Sequence, residues 1–248
     1  MAQLFPSYAN TLAKVSVTLL PILPLGLIFT LSAITRSPYQ TNVDVALDQP
    51  APFSHKHHVN QLGIDCRYCH SSVEKSSFAG IPSTHTCMSC HSQVWTNSPL
   101  LAVVRDSFKD NVPIEWNRVN KLPEFVYFDH SIHVNRGIHC NECHGPVQAM
   151  DLTYKAKAFT MVWCLDCHRN VEKHLYKDGA HPDRSPSEQI FQLYLKPQRG
   201  EPLTKREEAI LRGITYNPTP AEVAEGKKLM KEYKVDKEQL TDCSICHR

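Results

Sequence analysis

The sequence predicts a mainly irregular chain with short α-helices and little or no sheet, behind one N-terminal transmembrane helix. Three observations predict it. No run alternates apolar and polar residues for long enough to make one face of a sheet. The stretch from Val15 to Ile34 is apolar and carries no charge. All ten cysteines fall in Cys-x-x-Cys pairs, each followed by a histidine.

The apolar stretch is long enough to cross a bilayer as a single helix. It exceeds the apolar region of a typical signal peptide, and Leu31-Ser-Ala33 is a poor cleavage site, so an uncleaved anchor over residues 1–36 is expected. Lys14 and Arg36 flank opposite ends and set the orientation only weakly. Pro21 and Pro24 are expected to kink the helix and free backbone carbonyls, which in lipid need partners on another membrane subunit.

The five boxes are Cys66/Cys69/His70, Cys87/Cys90/His91, Cys140/Cys143/His144, Cys164/Cys167/His168 and Cys243/Cys246/His247. In a Cys-x-x-Cys-His box the thiols add to the vinyl groups of a c-type haem and the histidine ligates its iron. Five covalently bound haem c groups are therefore expected, with His70, His91, His144, His168 and His247 as proximal ligands. Zinc explains the spacing of the first four pairs but neither the histidine after every pair nor the unpartnered fifth. Disulfides within each pair would make small loops that cross-link nothing. The formal net charge of +2 omits the haem propionates, which Lys and Arg would partner. There is no basic run to bind nucleic acid.

Residues Phe53 to His70 and Phe128 to His144 repeat one pattern, with Phe, His, His, Val, Asn, Gly, Ile and the box in order. One residue is slipped before the glycine of the first copy. Each copy places two spare histidines three residues apart, so on a helical turn they share a face and can serve two neighbouring haems. His55 is assigned to the haem of Cys66/Cys69, and His130 to that of Cys140/Cys143. His58 and His133 go most simply to the second box of each unit. For the fifth distal ligand the candidates are His174, Met150 and Met161, against core packing for either methionine. His57 reads as solvated, and His85 and His139 as badly placed for their own boxes. Phe53 and Phe128 are expected to pack on porphyrin faces.

The order that follows is an anchor at 1–36, an extended linker at 37–52 and a first di-haem unit at 53–91. An irregular arm at 92–127, a second di-haem unit at 128–184 and a helical segment with the fifth haem at 185–248 complete it. Ser185-Pro-Ser-Glu188, Thr204-Lys-Arg-Glu207 and Thr219-Pro-Ala-Glu222 have the form of capping boxes, predicting three short helices. About forty residues per haem are too few for an ordinary core, so porphyrin is expected to supply the apolar area.

The Phe-x-His-x-x-His-Val start with paired boxes resembles the class III multihaem cytochromes related to cytochromes c3 and c7. Ile81 to His91, the segment from Ile114 to His130, and Met161 to Arg169 sharpen the likeness. With one span and five boxes, the chain is similar to the pentahaem subunit of alternative complex III over residues 10–184. That resemblance implies an electron-transfer subunit rather than a catalyst on its own, in a complex that oxidises quinol for a soluble carrier or an oxidase. The implied partners are a multi-span quinol-binding subunit, an iron–sulfur subunit and a mono-haem cytochrome c. The implied location is the bacterial inner membrane, single-pass, with the haem domain on the periplasmic side. Similar chains accompany molybdopterin-type and polysulfide-reductase-like complexes, and a single-span multihaem quinol dehydrogenase is the other alternative.

Overall fold

A computed structural model describes residues 4–248, so the first three residues of the expected anchor lie outside it. The chain divides into two compact units, one ending at Val45 and one running from Ala46 to Arg248.

The first unit is dominated by α1 (Ala9–Arg36), 28 residues with a mean hydropathy of 2.2 in its most apolar window and no buried side chain. At 1.5 Å per residue it is about 42 Å long, more than the roughly 30 Å of a bilayer's hydrocarbon. It is one helix long and apolar enough to cross a membrane. The helix runs unbroken through Pro21 and Pro24, which leave the carbonyls of Val17 and Leu20 without their ladder donors. The expected extended linker instead begins with a helical turn, α2 (Pro38–Thr41). Pro38 at its first position and Asn42 in the left-handed conformation start and stop it.

In the second unit no strand forms among the described residues, and an isolated antiparallel bridge joins Ala46 to Tyr154. The first repeat opens with a π-helical turn, Lys56–Gln61, and its box forms α3 (Cys66–Cys69). The next box closes α4 (Thr84–His91). The arm expected to be irregular contains a helix, α5 (Ala102–Asp110), which packs on α4 through Val104 and Ser107. Pro99, Pro113 and Pro123 have the look of breakers, yet all three lie outside the helix. Pro99 starts the 3-10 turn that leads in, and Pro113 follows the left-handed Asn111 cap.

The second repeat gives α6 (His130–Val134) and α7 (Cys140–His144), and the fourth box lies on α8 (Met161–Arg169). The tail forms α9 (Pro186–Leu195), α10 (Lys205–Arg212), α11 (Pro220–Glu232) and α12 (Cys243–Cys246). Thr204 with Glu207 and Thr219 with Glu222 make reciprocal capping boxes. Ser185 caps α9 from one side only, because Glu188 is taken by Arg67.

The tail builds what the sequence reading assigned to porphyrin alone, a conventional apolar core. Ile190, Phe191, Leu193, Tyr194 and Ile210 pack with Val73 and Val134 of the two repeats. Leu229 and Tyr233 pack with Ile138, Val171 and Leu175. The close approach needs Gly226: a Cβ there would lie 1.8 Å from the Glu172 carbonyl oxygen. The same tail grips the boxes. Arg67, inside the first box, pairs with Glu188 and stacks its guanidinium 4.4 Å from the Phe191 ring centre. Asn141, inside the third, donates to the Ile210 carbonyl at 2.8 Å.

A buried polar centre ties the tail to the second di-haem unit. Lys196 Nζ lies 2.9 Å from Asp178 Oδ1 and 2.6 Å from Glu207 Oε1, and Tyr176 donates to Glu207 at 2.7 Å. Replacing Lys196 by Met leaves two carboxylates buried without their cation, a loss of about 3–5 kcal/mol. Urea unfolding of K196M should show a lower midpoint and an unfolding free energy reduced by that amount. An unchanged midpoint would mean that the ion cluster contributes nothing to the tail.

Candidate haem-iron sites

Each repeat begins as a phenylalanine followed by a turn that carries two histidines. In the second copy Asp129 caps α6, accepting from the backbone N–H of Ser131 at 2.8 Å. In the first, Ser54 Oγ accepts from the backbone N–H of His57 at 3.1 Å. The two turns differ in winding, α in the second and π in the first. The cause is the slipped residue: one extra residue is taken up as a single wide turn, and both copies still end on a left-handed glycine, Gly63 or Gly137.

Phe53 stacks on His58 with centres 4.5 Å apart and meets His55 edge-on at 4.9 Å. Phe128 repeats this with His133 at 4.5 Å and His130 at 4.8 Å. These rings therefore wedge the two imidazoles apart.

The two spare histidines of each repeat, His55 and His58 in the first and His130 and His133 in the second, each face a box histidine. Ring centres are 6.4 Å apart for His55 and His70, 6.1 Å for His58 and His91, 6.2 Å for His130 and His144, and 6.2 Å for His133 and His168. An imidazole nitrogen sits about 2 Å from a metal it binds, so two imidazoles trans on one metal have ring centres about 6.3 Å apart. All four gaps fit one iron between two imidazoles.

Tautomers are set as iron ligation requires. Seven of these histidines turn Nδ1 toward a backbone carbonyl: His58 to Ser54, His70 to Gly80, His91 to Val94, His130 to Ser77, His133 to Asp129, His168 to Leu240 and His247 to Phe125, at 2.7–3.1 Å. A carbonyl only accepts, so Nδ1 carries the proton and Nε2 keeps a free lone pair. His55 instead meets the Thr153 hydroxyl at 3.0 Å. Burial, with neighbouring imidazoles adding to it, holds His55 and His144 down to about 4, in the neutral form a metal needs. Thr153 carried no signal in the sequence, because it meets His55 only through the fold.

The boxes stand in a row. Burial raises the cysteine thiols, and the neighbouring thiols that add to the effect trace the order. Cys69 senses Cys87 and Cys90, Cys66 senses Cys140, Cys143 senses Cys167 and Cys164, and Cys164 senses Cys246. His144 lies near both His130 and His70, which again sets the first and third boxes side by side. The spatial order is thus second, first, third, fourth, fifth.

The remaining histidines hold side-chain partners or pack on rings. His57 pairs with Gln61 at 2.8 Å, and His85 packs edge-on to Phe108 at 4.8 Å. His181 bonds Asp178 at 3.1 Å. His174, a candidate fifth ligand, bonds Glu142 at 2.8 Å, and His139 lies on the same carboxylate at 3.4 Å. Met150 is buried against Gly145, beside centres that already have two imidazoles, whereas Met161 is exposed at the start of α8.

Paired imidazoles in series, each closing a Cys-x-x-Cys-His box, define the architecture of a multihaem cytochrome c. No protein-family model matches the chain. It is 37% identical over 149 residues to the menaquinone reductase multihaem cytochrome c subunit of Nitratidesulfovibrio vulgaris, an alignment covering 52% of this chain and 70% of that one. The chain belongs to the family of that subunit.

His139 makes the site region acid-sensitive. Burial holds it at about 4 against an ordinary 6.5, and its Nδ1 accepts the Glu142 N–H that caps α7. As pH falls through 6.5 the unfolded chain takes the proton first, so stability present above that pH is lost toward pH 4. Between pH 7 and pH 5 this amounts to about 2 kcal/mol. His139→Asn keeps a capping acceptor, and its unfolding free energy should lose less by about that amount over the same interval. An identical pH dependence in the variant would exclude His139 as the source.

Proposed function

We propose that the chain binds five haem c groups and serves as the electron relay of a quinone-linked respiratory complex. Cys66, Cys69, Cys87, Cys90, Cys140, Cys143, Cys164, Cys167, Cys243 and Cys246 form the thioethers. His70, His91, His144, His168 and His247 bind the irons from one side; His55, His58, His130 and His133 bind the first four from the other. The observation that carries this is the set of four imidazole pairs at 6.1–6.4 Å. Bound haem with two protein ligands supplies one-electron transfer and leaves no position for substrate.

The chain's own part is to hold the centres in series and shield them. The clamp turns fix neighbouring centres to one rigid element each, the tail locks the first, third and fourth boxes, and the row ends in the second and fifth. Haem attachment takes place outside the cytoplasmic membrane, which supports a periplasmic position for residues 46–248 with α1 as a single-pass anchor. The unpaired carbonyls beside Pro21 and Pro24 favour packing of α1 on a membrane subunit.

The finer reading is the pentahaem subunit of alternative complex III, relaying electrons from a multi-span quinol-binding subunit and an iron–sulfur subunit to a mono-haem cytochrome c or an oxidase. The name of the relative favours a second reading, a similar relay running toward menaquinone. Purification from membranes separates them. A multi-span protein and an iron–sulfur protein should accompany the chain, and the direction of quinone turnover by the intact complex decides between the two. Mass spectrometry should find five haem additions; fewer than five would overturn the site assignment. His133→Ala should give the reduced protein one more carbon monoxide-reactive haem than the parent.

A further inference from the structure

His247 differs from the other four box histidines. Among the described residues no imidazole stands opposite it; the parallel ring near it is Phe125, with centres 6.0 Å apart. A phenyl ring cannot ligate iron. None of the histidines outside the pairs is a ring neighbour of His247: His57 bonds Gln61, His139 and His174 lie on Glu142, His181 bonds Asp178 and His85 packs on Phe108. With no imidazole opposite it, the fifth site is open to another chemistry, and thioether sulfur is the neutral ligand that c-type haems use besides imidazole.

The five methionines separate cleanly. Met1 lies outside the described residues, and Met88 lies within the second box, at the far end of the row. Met150 is 3% exposed beside Gly145, and Met230 packs on the cluster of Leu229 and Tyr233. Met161 is 67% exposed and free of such packing. It begins α8 three residues before Cys164, so the two share a helix face. Helix α8 packs against the Gln239–Thr241 turn that leads into the fifth box.

Two further ties bring that box to the same place. The Leu240 carbonyl accepts from His168 on α8 at 2.8 Å, and Tyr127 N–H donates to the Cys246 carbonyl at 2.8 Å. Phe125, Tyr127 and Val162 are exposed there as well. Their exposed apolar surface is of the kind that a porphyrin face would cover.

We infer that the Met161 thioether is the sixth ligand of the iron bound at His247. The inference rests on the five-haem reading above. It makes the last centre of the row chemically distinct: a thioether in place of an imidazole raises the reduction potential.

Visible and near-infrared spectra of the oxidised, haem-loaded protein test this. The wild type should show the long-wavelength charge-transfer band of one thioether–imidazole haem among five. Met161→Leu should abolish that band and make one haem high-spin and reactive to carbon monoxide when reduced. Met161→His should also abolish the band, yet keep five low-spin haems and lower the potential of one. Met150→Leu should leave the band in place. A wild type without the band would overturn the inference, whether its fifth haem is bis-imidazole or already binds carbon monoxide, and so would a band that survives Met161→Leu. Haem counting by mass separates this from failure of the relay reading, since five additions without the band sink the ligand assignment alone.

Discussion

Everything in the second unit depends on one constraint, that two imidazoles three residues apart on a single turn must each meet a different box histidine at a metal-bridging distance. A turn has room for this only if its rings are held apart and their Nδ1 atoms are occupied. Phe53 and Phe128 supply the separation, stacking on one imidazole and meeting the other edge-on. The carbonyls of Ser54 and Asp129, four residues before His58 and His133, occupy Nδ1. Both devices are local, and both therefore repeat along with the sequence.

The rest of the fold keeps those rings opposed. Boxes of four or five residues are too short to be stable helices alone, and the tail holds them. Arg67 reaches Glu188, Asn141 reaches Ile210, and His168 reaches Leu240. A buried cation between Asp178 and Glu207 fastens the tail to the second di-haem unit. The tail is thus a brace for the boxes as well as the carrier of the fifth, and its apolar clusters with both repeats' neighbours make a conventional core.

The N-terminal unit follows simpler physics. A helix of 28 residues without a buried side chain has no core to join, and its uncharged length suits lipid. Its two prolines mark the places where the backbone lacks its own partners.

The boxes, the repeat, the anchor and the caps of α9, α10 and α11 were legible in the residues, because each is written in local spacing. Helix α5 was not: prolines near a helix read as breakers until their position outside its ends is known. Nor could spacing say which box His58 or His133 would face, since sequence distance carries no information about which short helices are brought alongside. Sequence by itself determined the chemistry, five thiol pairs each with a histidine and two turns with spare imidazoles. Only tertiary structure decided the partners and the order, second, first, third, fourth, fifth. Those follow from how the tail packs against both repeats, an interaction spread over residues far apart in the chain.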